Sequence, residues 1–290
     1  MSQDRLDASL DIDRRSTLEI VRIIQQQDAL VAPAVAAESE KIAHAIDEIA
    51  NRMAHGGRLF YAGAGTSGRI AMLDASELPP TFGIDPSLVR VLMAGGERAY
   101  FAAAEGAEDD EEAAIAAVDR EVRAEDVVVG IAASGTTPYT VAAIRKANMI
   151  GALTVGVTSQ PGSPLAQEAD IVIAPWTGPE VIMGSTRMKS GTAQKLVLNA
   201  ISTGVMIKLG HVYSNLMIDM PATNEKLRDR ALRMVELAAN VPRPVAAEAM
   251  RAANGNLRVA AIVARKKISA DQARALLDAH HGNLREVLEA

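Results

Sequence analysis

A short apolar stretch followed at once by three closely spaced glycines constrains the fold of this chain more than any other feature. Residues 58–62 are apolar and aromatic after their first arginine, as in a buried strand of a parallel sheet. Gly63, Gly65 and Gly68 then allow a tight turn and a close approach of the backbone to a ligand. We expect the apolar helical run that follows to be closed by the prolines at 79–80. A strand, a glycine turn and a helix in this order direct free N–H groups and the positive helix end at one spot, which favours an anion.

The same glycine spacing matches the fingerprint of dinucleotide-binding loops, so a nicotinamide-dependent dehydrogenase is one alternative. That site needs an acidic residue near the end of the next strand, where it holds the ribose. The next predicted strand, residues 89–94, ends instead in two glycines, and Glu97 comes late. Thr66 and Ser67 in the loop offer hydroxyl groups directly to phosphate oxygens. We therefore favour a phosphate monoester as the ligand, with a tight turn that binds nothing as the third interpretation.

The composition limits the class of protein. A chain of 290 residues can bury a full α/β core with a smaller appendage, and 49% hydrophobic with 23% charged residues is ordinary for a globular protein. The net charge of −6 gives no sign of a nucleic-acid partner, and the lack of cysteine excludes disulfides and thiolate chemistry. Neither a signal-peptide pattern nor a membrane-spanning run is present, so we expect a cytoplasmic protein without a membrane partner. The sequence suggests no metal and no cofactor.

Two further segments repeat the combination of hydroxyl groups with glycine. The first follows a strand predicted at 127–133 and precedes a helix, and the second opens the longest apolar helix, which should end at Gly210. Their polar members are Ser134, Gly135, Thr136 and Thr137 in the first segment, and Ser185, Thr186, Arg187 and Lys189 in the second. The hydroxyl groups would bond phosphate oxygens or cap the helices, and the two roles are compatible.

Alternating strands and helices predict a doubly wound, mostly parallel α/β sheet of the flavodoxin-like kind. Strands predicted at 153–158 and 171–174 complete it. In such sheets the ligand lies beyond the carboxyl ends of the strands. Because the first two hydroxyl-rich loops both follow strands, we expect them to meet at that edge and to form a phosphate cradle with the third segment.

The sequence predicts three parts, divided at residues 57 and 220. Residues 1–57 form an N-terminal helical segment, in which Ser16 and Glu19 fit a capping box. Residues 58–220 form the domain that contains the phosphate cradle, and residues 221–290 a small helical region. In that last region the string Gly-Asn-Leu-Arg occurs twice, and each Gly-Asn should end one short helix and begin the next.

The hydroxyl-rich loops resemble those of the sugar isomerase (SIS) type of domain, which holds phosphosugars on Ser/Thr loops. The match is closer than the fold, because long strings are similar to those of the N-acetylmuramic acid 6-phosphate etherase family over nearly the whole chain. These strings lie at residues 63–69, 73–77, 79–81, 94–96, 105–109, 185–189, 191–193, 195–199, 215–220 and 222–227. A minor departure is Leu78, where the family pattern has cysteine.

The resemblance implies cleavage of the ether that joins D-lactate to C3 of the sugar, with N-acetylglucosamine 6-phosphate and D-lactate as products. It places the two catalytic carboxyl groups on Glu77 and Glu108. Composition alone favours a solvated helical face for the acidic run 105–112, so the resemblance reverses that interpretation for Glu108. Leu78 and Phe82 surround Glu77 with apolar side chains, which favours a neutral proton donor, and Glu108 would be the base. The sequence leaves the reverse assignment open.

The resemblance also implies binding roles and a homodimer. The substrate-binding residues would be Gly65, Thr66, Ser67, Arg69, Ser134, Gly135, Thr136, Thr137, Ser185, Thr186, Arg187 and Lys189. The cations among them would neutralise the phosphate or the lactate carboxylate, or else pair with the acidic run. The main alternative function is a phosphosugar-sensing regulatory protein of the same fold, which would need the cradle without both glutamates.

Overall fold

The computed structural model describes residues 4–102 and 104–290 of the chain. Its contacts divide the chain into two units. The first unit comprises Met1–Ala75 and Ser87–Val205, and the second comprises Ser76–Pro86 and Met206–Ala290. The three-part division predicted from the sequence stays a prediction. In the described part of the chain, no helix combines the length and apolar character needed to cross a bilayer.

The first unit is built on one sheet of five parallel strands in the order β2-β1-β3-β4-β5. The strands are β1 Leu59–Gly63, β2 Val89–Met93, β3 Val127–Ile131, β4 Leu153–Val157 and β5 Ile171–Ile173. All five were predicted, to within two residues at each end. Because the chain turns back between β1 and β3, these two strands flank the point where ligands bind in sheets of this order.

Helices cover both faces of the sheet. The first unit contains α1 Thr17–Asp28, α2 Val31–Ala36, α3 Ser39–Ala54, α5 Glu111–Glu121, α6 Pro138–Ile150 and α7 Pro164–Glu168. It also contains most of α4 Gly65–Phe82 and α8 Lys189–Lys208, which continue into the second unit. The capping box predicted at the start of α1 is confirmed, because Ser16 accepts from the Glu19 amide and the Glu19 carboxylate accepts from the Ser16 amide.

Alternate residues of β1 face opposite layers, which confirms the doubly wound prediction. Phe60 is buried in a cluster with residues of α5 and α6, including Val118. Tyr61 lies on the other face, where its hydroxyl donates to Asp74 of α4 at 2.9 Å. Ser202 of α8 also donates to Asp74, at 3.0 Å. Burial raises the pKa of Asp74 above its ordinary value, although these two hydrogen bonds act in the opposite direction.

The second unit is helical. Its helices are α9 Glu225–Ala239, α10 Arg243–Ala252, α11 Leu257–Lys266, α12 Ala270–Ala279 and α13 Leu284–Glu289. The repeated Gly-Asn pairs lie where they were predicted, with positive φ at Gly255 and Gly282. Asn256 caps α11 and Asn283 caps α13 through their side-chain oxygens.

Two predicted helix boundaries were wrong. Helix α4 does not close at the two prolines but continues to Phe82, because Leu78 and Phe82 are buried and anchor its last turn. Its end comes at Gly83, which has φ 64° and donates to the Pro79 carbonyl. The acidic run 105–112, expected on one helical face, does not lie on one helix, because two 3₁₀ turns, Glu97–Tyr100 and Ala107–Asp109, precede α5. Gly106, with φ 72°, separates them.

Candidate active site

The first two hydroxyl-rich loops leave the sheet at the same edge. Gly63 at the end of β1 is in register with Ile131 at the end of β3, so the loops that follow these strands start side by side. This edge also lies at the switch point of the strand order, where open α/β sheets bind their ligands. The convergence predicted for these two loops therefore has a basis in the strand pairing.

The first loop is shorter than expected. Only Ala64 separates β1 from α4, which begins at Gly65 with φ 53°, so Thr66 and Ser67 belong to the first helical turn. Amide groups of a first turn lack intrahelical acceptors and remain available to an anion. The close packing of the start of α4 against β1 and β2 depends on Gly68, because a Cβ at this position would lie 2.1 Å from the Met93 sulfur and 2.9 Å from the Gly63 carbonyl oxygen.

The first and third segments are also neighbours. The Ser67 hydroxyl donates to Oε1 of Gln194 on α8 at 3.0 Å, and both side chains are buried. A Cβ at Gly191, near the start of α8, would lie 3.7 Å from the Thr66 methyl group. The starts of α4 and α8 are therefore packed together. Ser67 uses its hydroxyl within the protein, whereas Thr66 is only half-buried.

The second loop holds two hydroxyl groups in a fixed arrangement. The oxygens of Ser134 and Thr136 are hydrogen-bonded at 2.9 Å, and the Thr136 amide donates to Ser134 at 3.2 Å. Gly135 between them has φ 67°, and a Cβ there would lie 2.0 Å from the Ser163 hydroxyl oxygen. Thr137 is the N-cap of α6, yet its side chain makes no capping bond to the described helix.

The third segment separates its two cations. Arg187 is exposed, whereas Lys189 is only 1% exposed and its ammonium donates to Oε1 of Gln27 on α1 at 2.9 Å. Burial lowers the pKa of Lys189, and the charges of Glu180 and Asp28 partly oppose this. The Lys189 ammonium is thus directed at protein partners in this structure. Ser185 and Thr186 lie in the half-buried turn before α8.

Glu180 is a residue that sequence analysis missed. Its fully buried carboxylate accepts the backbone amides of Lys189 and Ser190, each at 3.0 Å, and so caps the start of α8. A carboxylate at a helix N-terminus also interacts favourably with the helix dipole. It lies nine residues before Lys189, within the irregular loop between β5 and α8, so no local capping pattern in the sequence identifies it.

A pocket of about 240 Å³ joins the first loop to the acidic run. Gly65 and Arg69 line one side of it, and Glu105 and Glu108 line another. Glu108 lies in the 3₁₀ turn that follows Gly106, with its side chain exposed. The predicted base and the predicted anion-binding turn therefore line one cavity.

Glu77 lies on the part of α4 that belongs to the second unit. The apolar surroundings expected from the sequence are only partly present. Leu78 and Phe82 turn to the buried side of the helix, while Glu77 itself is exposed in this chain. An exposed carboxyl group on a helix is accessible to a substrate.

The arrangement is suited to holding an anion close to a carboxyl group. Short hydroxyl side chains and first-turn amides supply donors at the sheet edge. Glu108 lines the same pocket as Gly65 at the start of α4, where a carboxylate can accept a proton. Within residues 4–102 and 104–290, no group of three or more acidic or histidine side chains is arranged to hold a metal ion.

Comparison with known proteins defines the class. Residues 41–148 match the family model of the glucokinase regulatory protein N-terminal SIS domain. The fold is similar to that of a phosphoheptose isomerase from Francisella tularensis, with a TM-score of 0.53 and 17% identity over 67% of this chain and 100% of that one. Together with the parallel sheet and its loops, these matches define a fold of the sugar isomerase (SIS) type.

The relatives by sequence are more specific. The chain is 58% identical to the N-acetylmuramic acid 6-phosphate etherase of Symbiobacterium thermophilum, over 90% of this chain and 87% of that protein. It is 50% identical to the protein of the same name from Clostridium beijerinckii, over 99% of this chain and 95% of the other. The chain belongs to the N-acetylmuramic acid 6-phosphate etherase family.

Proposed function

We propose that this chain cleaves the D-lactyl ether of N-acetylmuramic acid 6-phosphate and releases N-acetylglucosamine 6-phosphate and D-lactate. The observation that carries the proposal is the 58% identity to a relative named for this substrate and bond, over 90% of the chain. The pocket that joins the start of α4 to Glu108 supports it, because that pocket sets an anion-binding turn beside a carboxyl group.

The proposed chemistry is an elimination followed by an addition. When the sugar ring opens, the C1 aldehyde makes the C2 proton acidic and places the C3 ether oxygen β to the carbonyl. A base removes the C2 proton, the C3–O bond breaks, and the departing lactate oxygen is protonated. Water then adds to C3 of the unsaturated aldehyde, and C2 is protonated again. This pair of reactions needs one carboxylate as the base and one carboxylic acid as the proton donor.

We assign Glu108 as the base and Glu77 as the proton donor. Glu108 supports this role by lining the pocket beside the start of α4. The role of proton donor for Glu77 rests on the family resemblance and on the exposed position of this residue on a helix. Each carboxyl group would accelerate the reaction about 10²- to 10⁴-fold.

The phosphate would be held by donors of the first two loops. The first-turn amides of α4 with Thr66, and the hydroxyl pair of Ser134 and Thr136, are the groups we assign to it. Exposed Arg187 is suited to the lactate carboxylate. We leave Lys189 out of the contact set, since its ammonium is buried against Gln27.

We also propose that the chain acts as a homodimer in the cytoplasm, in peptidoglycan recycling, without nucleic-acid or membrane partners. Large apolar side chains on the surface support the dimer: Leu18 and Val21 of α1 are 57% and 42% exposed, and Phe101 is 93% exposed. No residue of the described α1 is fully buried. Sedimentation of the purified protein at micromolar concentration tests this, and a monomer would contradict it.

The test of the function is to incubate the protein with N-acetylmuramic acid 6-phosphate and to measure D-lactate with a lactate dehydrogenase assay. We expect stoichiometric release of D-lactate and N-acetylglucosamine 6-phosphate. N-acetylmuramic acid without the phosphate is the matched control, and we expect far slower release from it. Binding of the phosphosugar without any lactate release would instead favour the alternative, a phosphosugar-sensing regulatory protein.

A further inference from the structure

We propose that Arg69 is a positioning residue, which fixes the segment that carries Glu108 instead of binding the substrate phosphate. The inference rests on the proposed function only for its kinetic consequence. Arg69 lies one helical turn beyond Gly65 on α4, so it starts from the same turn that we assign to phosphate. Its side chain extends toward the chain between β2 and α5.

The Arg69 guanidinium is bonded to backbone carbonyls. Its Nε donates to the carbonyl oxygens of Ala99 at 3.1 Å and Tyr100 at 3.3 Å, and its Nη2 donates to that of Ala102 at 3.0 Å. The carbonyls of Ala99 and Tyr100 lie at the end of the 3₁₀ turn Glu97–Tyr100, where a helix leaves C=O groups without intrahelical donors, and Ala102 follows the turn. The planar guanidinium can serve several such acceptors together, which a lysine ammonium on a flexible stem cannot do in the same geometry.

The held segment is tightly joined to the turn that bears Glu108. Ala99 of this segment packs on Gly95, and so do Ala104 and Ala107, which lead to Glu108. A Cβ at Gly95 would lie 3.3 Å from the Ala99 Cβ, 2.6 Å from that of Ala104 and 3.2 Å from that of Ala107. Glu108 follows Ala107 directly. Arg69, these alanines and Glu108 all line the same 240 Å³ pocket. If the carbonyl groups bonded to Arg69 shifted, the part of the pocket wall that includes Glu108 would therefore shift as well.

The geometry also leaves Arg69 only one of its two bidentate edges for a phosphate. An arginine grips a phosphate or carboxylate most strongly with two parallel N–H groups on one edge of the guanidinium. The edge formed by Nε and Nη2 is already engaged by carbonyls of the protein. Arg69 thus connects the start of α4 to Glu108, and its loss should affect turnover more than binding.

The main test uses Arg69→Lys, which keeps the charge but not the planar fork. We expect kcat to fall about 10- to 100-fold, since a displacement of about 1 Å has effects of this size. The Kd for N-acetylglucosamine 6-phosphate, measured by calorimetry, should change by less than about twofold. The matched control is Arg98→Lys in the same 3₁₀ turn, because Arg98 is exposed, and it should behave as the unaltered chain.

Hydrogen exchange without any ligand gives a readout that is independent of catalysis. We expect the amides of residues 105–109 to exchange about tenfold faster in Arg69→Lys, and at the unaltered rate in Arg98→Lys. Unchanged exchange together with a Kd weakened in step with kcat/KM would overturn the proposal and make Arg69 a substrate contact. If the unaltered chain released no D-lactate, the proposed function would fail, while exchange would still test the role of Arg69.

A second variant perturbs the same segment without touching Arg69. Gly95→Ala places a methyl group 2.6 Å from Ala104 at a backbone φ of 81°, so the segment must shift. We expect the same pattern of reduced kcat with a retained Kd for N-acetylglucosamine 6-phosphate. Full turnover in this variant, with exchange of residues 105–109 accelerated, would show that the position of the segment does not matter and would refute the inference.

Discussion

Polar side chains have opposite roles at the two edges of the sheet where the strands begin and where they end. At the edge where the strands begin, the Asp126 carboxylate is fully buried and accepts from the Arg58 guanidinium at 2.7 Å. It also accepts the backbone amides of Arg58 and Arg123, at 2.8 and 2.9 Å. At the edge where the strands end, Ser134 and Thr136 bond mainly to each other and remain partly accessible.

A second carboxylate repeats the pattern at the starting edge. Asp170, just before β5, accepts the Thr154 amide and the Thr154 hydroxyl, each at 2.9 Å. Charges at this edge are thus neutralised or hydrogen-bonded inside the protein, where they hold neighbouring strands together. At the edge where the strands end, short polar groups and backbone amides remain available to a ligand. We propose that stability and chemistry are separated along the strand direction, and the following substitutions test that separation.

The largest expected effect is on catalysis. Glu108→Gln and Glu77→Gln should each lower kcat for D-lactate release about 10²- to 10⁴-fold, because each removes a proton-transfer group. Thermal unfolding should hardly change, since both side chains are exposed. Glu112→Gln, in the same acidic run on the exposed first turn of α5, is the control and should keep full activity. Full turnover in either active-site variant would remove that residue from the mechanism.

Asp126→Ala should affect stability instead. Removal of one partner from a buried ion pair leaves the other without compensation, so we expect a loss of about 3 kcal/mol in the free energy of unfolding by urea. Asp119→Ala breaks a surface pair with Lys146 and should cost about 0.5 kcal/mol or less. The kcat of folded Asp126→Ala should be that of the unaltered chain. A large loss of kcat with unchanged stability would contradict the separation of the two edges.

The second unit contains a comparable carboxylate at Asp219. Burial raises the pKa of Asp219, but hydrogen bonds from His211 and Arg258, with their charges, more than offset this and lower it below its usual range. Asp219→Asn should cost about 2 kcal/mol of stability at pH 7. Because the folded-state pKa is depressed, this stabilisation is present above the ordinary value of 3.8 and is lost as the pH falls through the lower folded value.

Urea titrations of both proteins as a function of pH check this. The difference between the unaltered chain and Asp219→Asn should be constant between about pH 5 and pH 7 and should shrink below about pH 4. A difference that grew as the pH fell would show that Asp219 does not stabilise the fold as a carboxylate.

The smallest effect is expected at the edge of the sheet where the strands end. Ser134→Ala removes one hydroxyl of the proposed phosphate contacts, and we expect KM to rise about fivefold, equivalent to about 1 kcal/mol. The unfolding temperature should stay the same. Thr192→Val, which removes an exposed hydroxyl of α8 bonded to the Met188 carbonyl, is the control and should leave KM unchanged. A loss of stability without a change in KM would assign Ser134 to structure.

Local patterns predicted the fold well, and the site less completely. The parallel strands, their order of alternation with helices and the Ser16 capping box all follow from short-range periodicity and turn chemistry. What they could not predict depends on partners far apart in the sequence. The burial of Lys189 against Gln27 joins positions 162 residues apart, and the hold of Arg69 on Ala99 joins positions 30 apart. Such contacts are decided by the packing of whole helices.

The measurement that tests the central claim most directly is turnover of N-acetylmuramic acid 6-phosphate in water enriched in oxygen-18, with mass spectrometry of both products. If the pocket carries out an elimination across C2–C3, the lactate leaves with its original ether oxygen. The new C3 hydroxyl of N-acetylglucosamine 6-phosphate then comes from water. We therefore predict label at C3 of the sugar and none in D-lactate, whereas label in the D-lactate hydroxyl would contradict the mechanism.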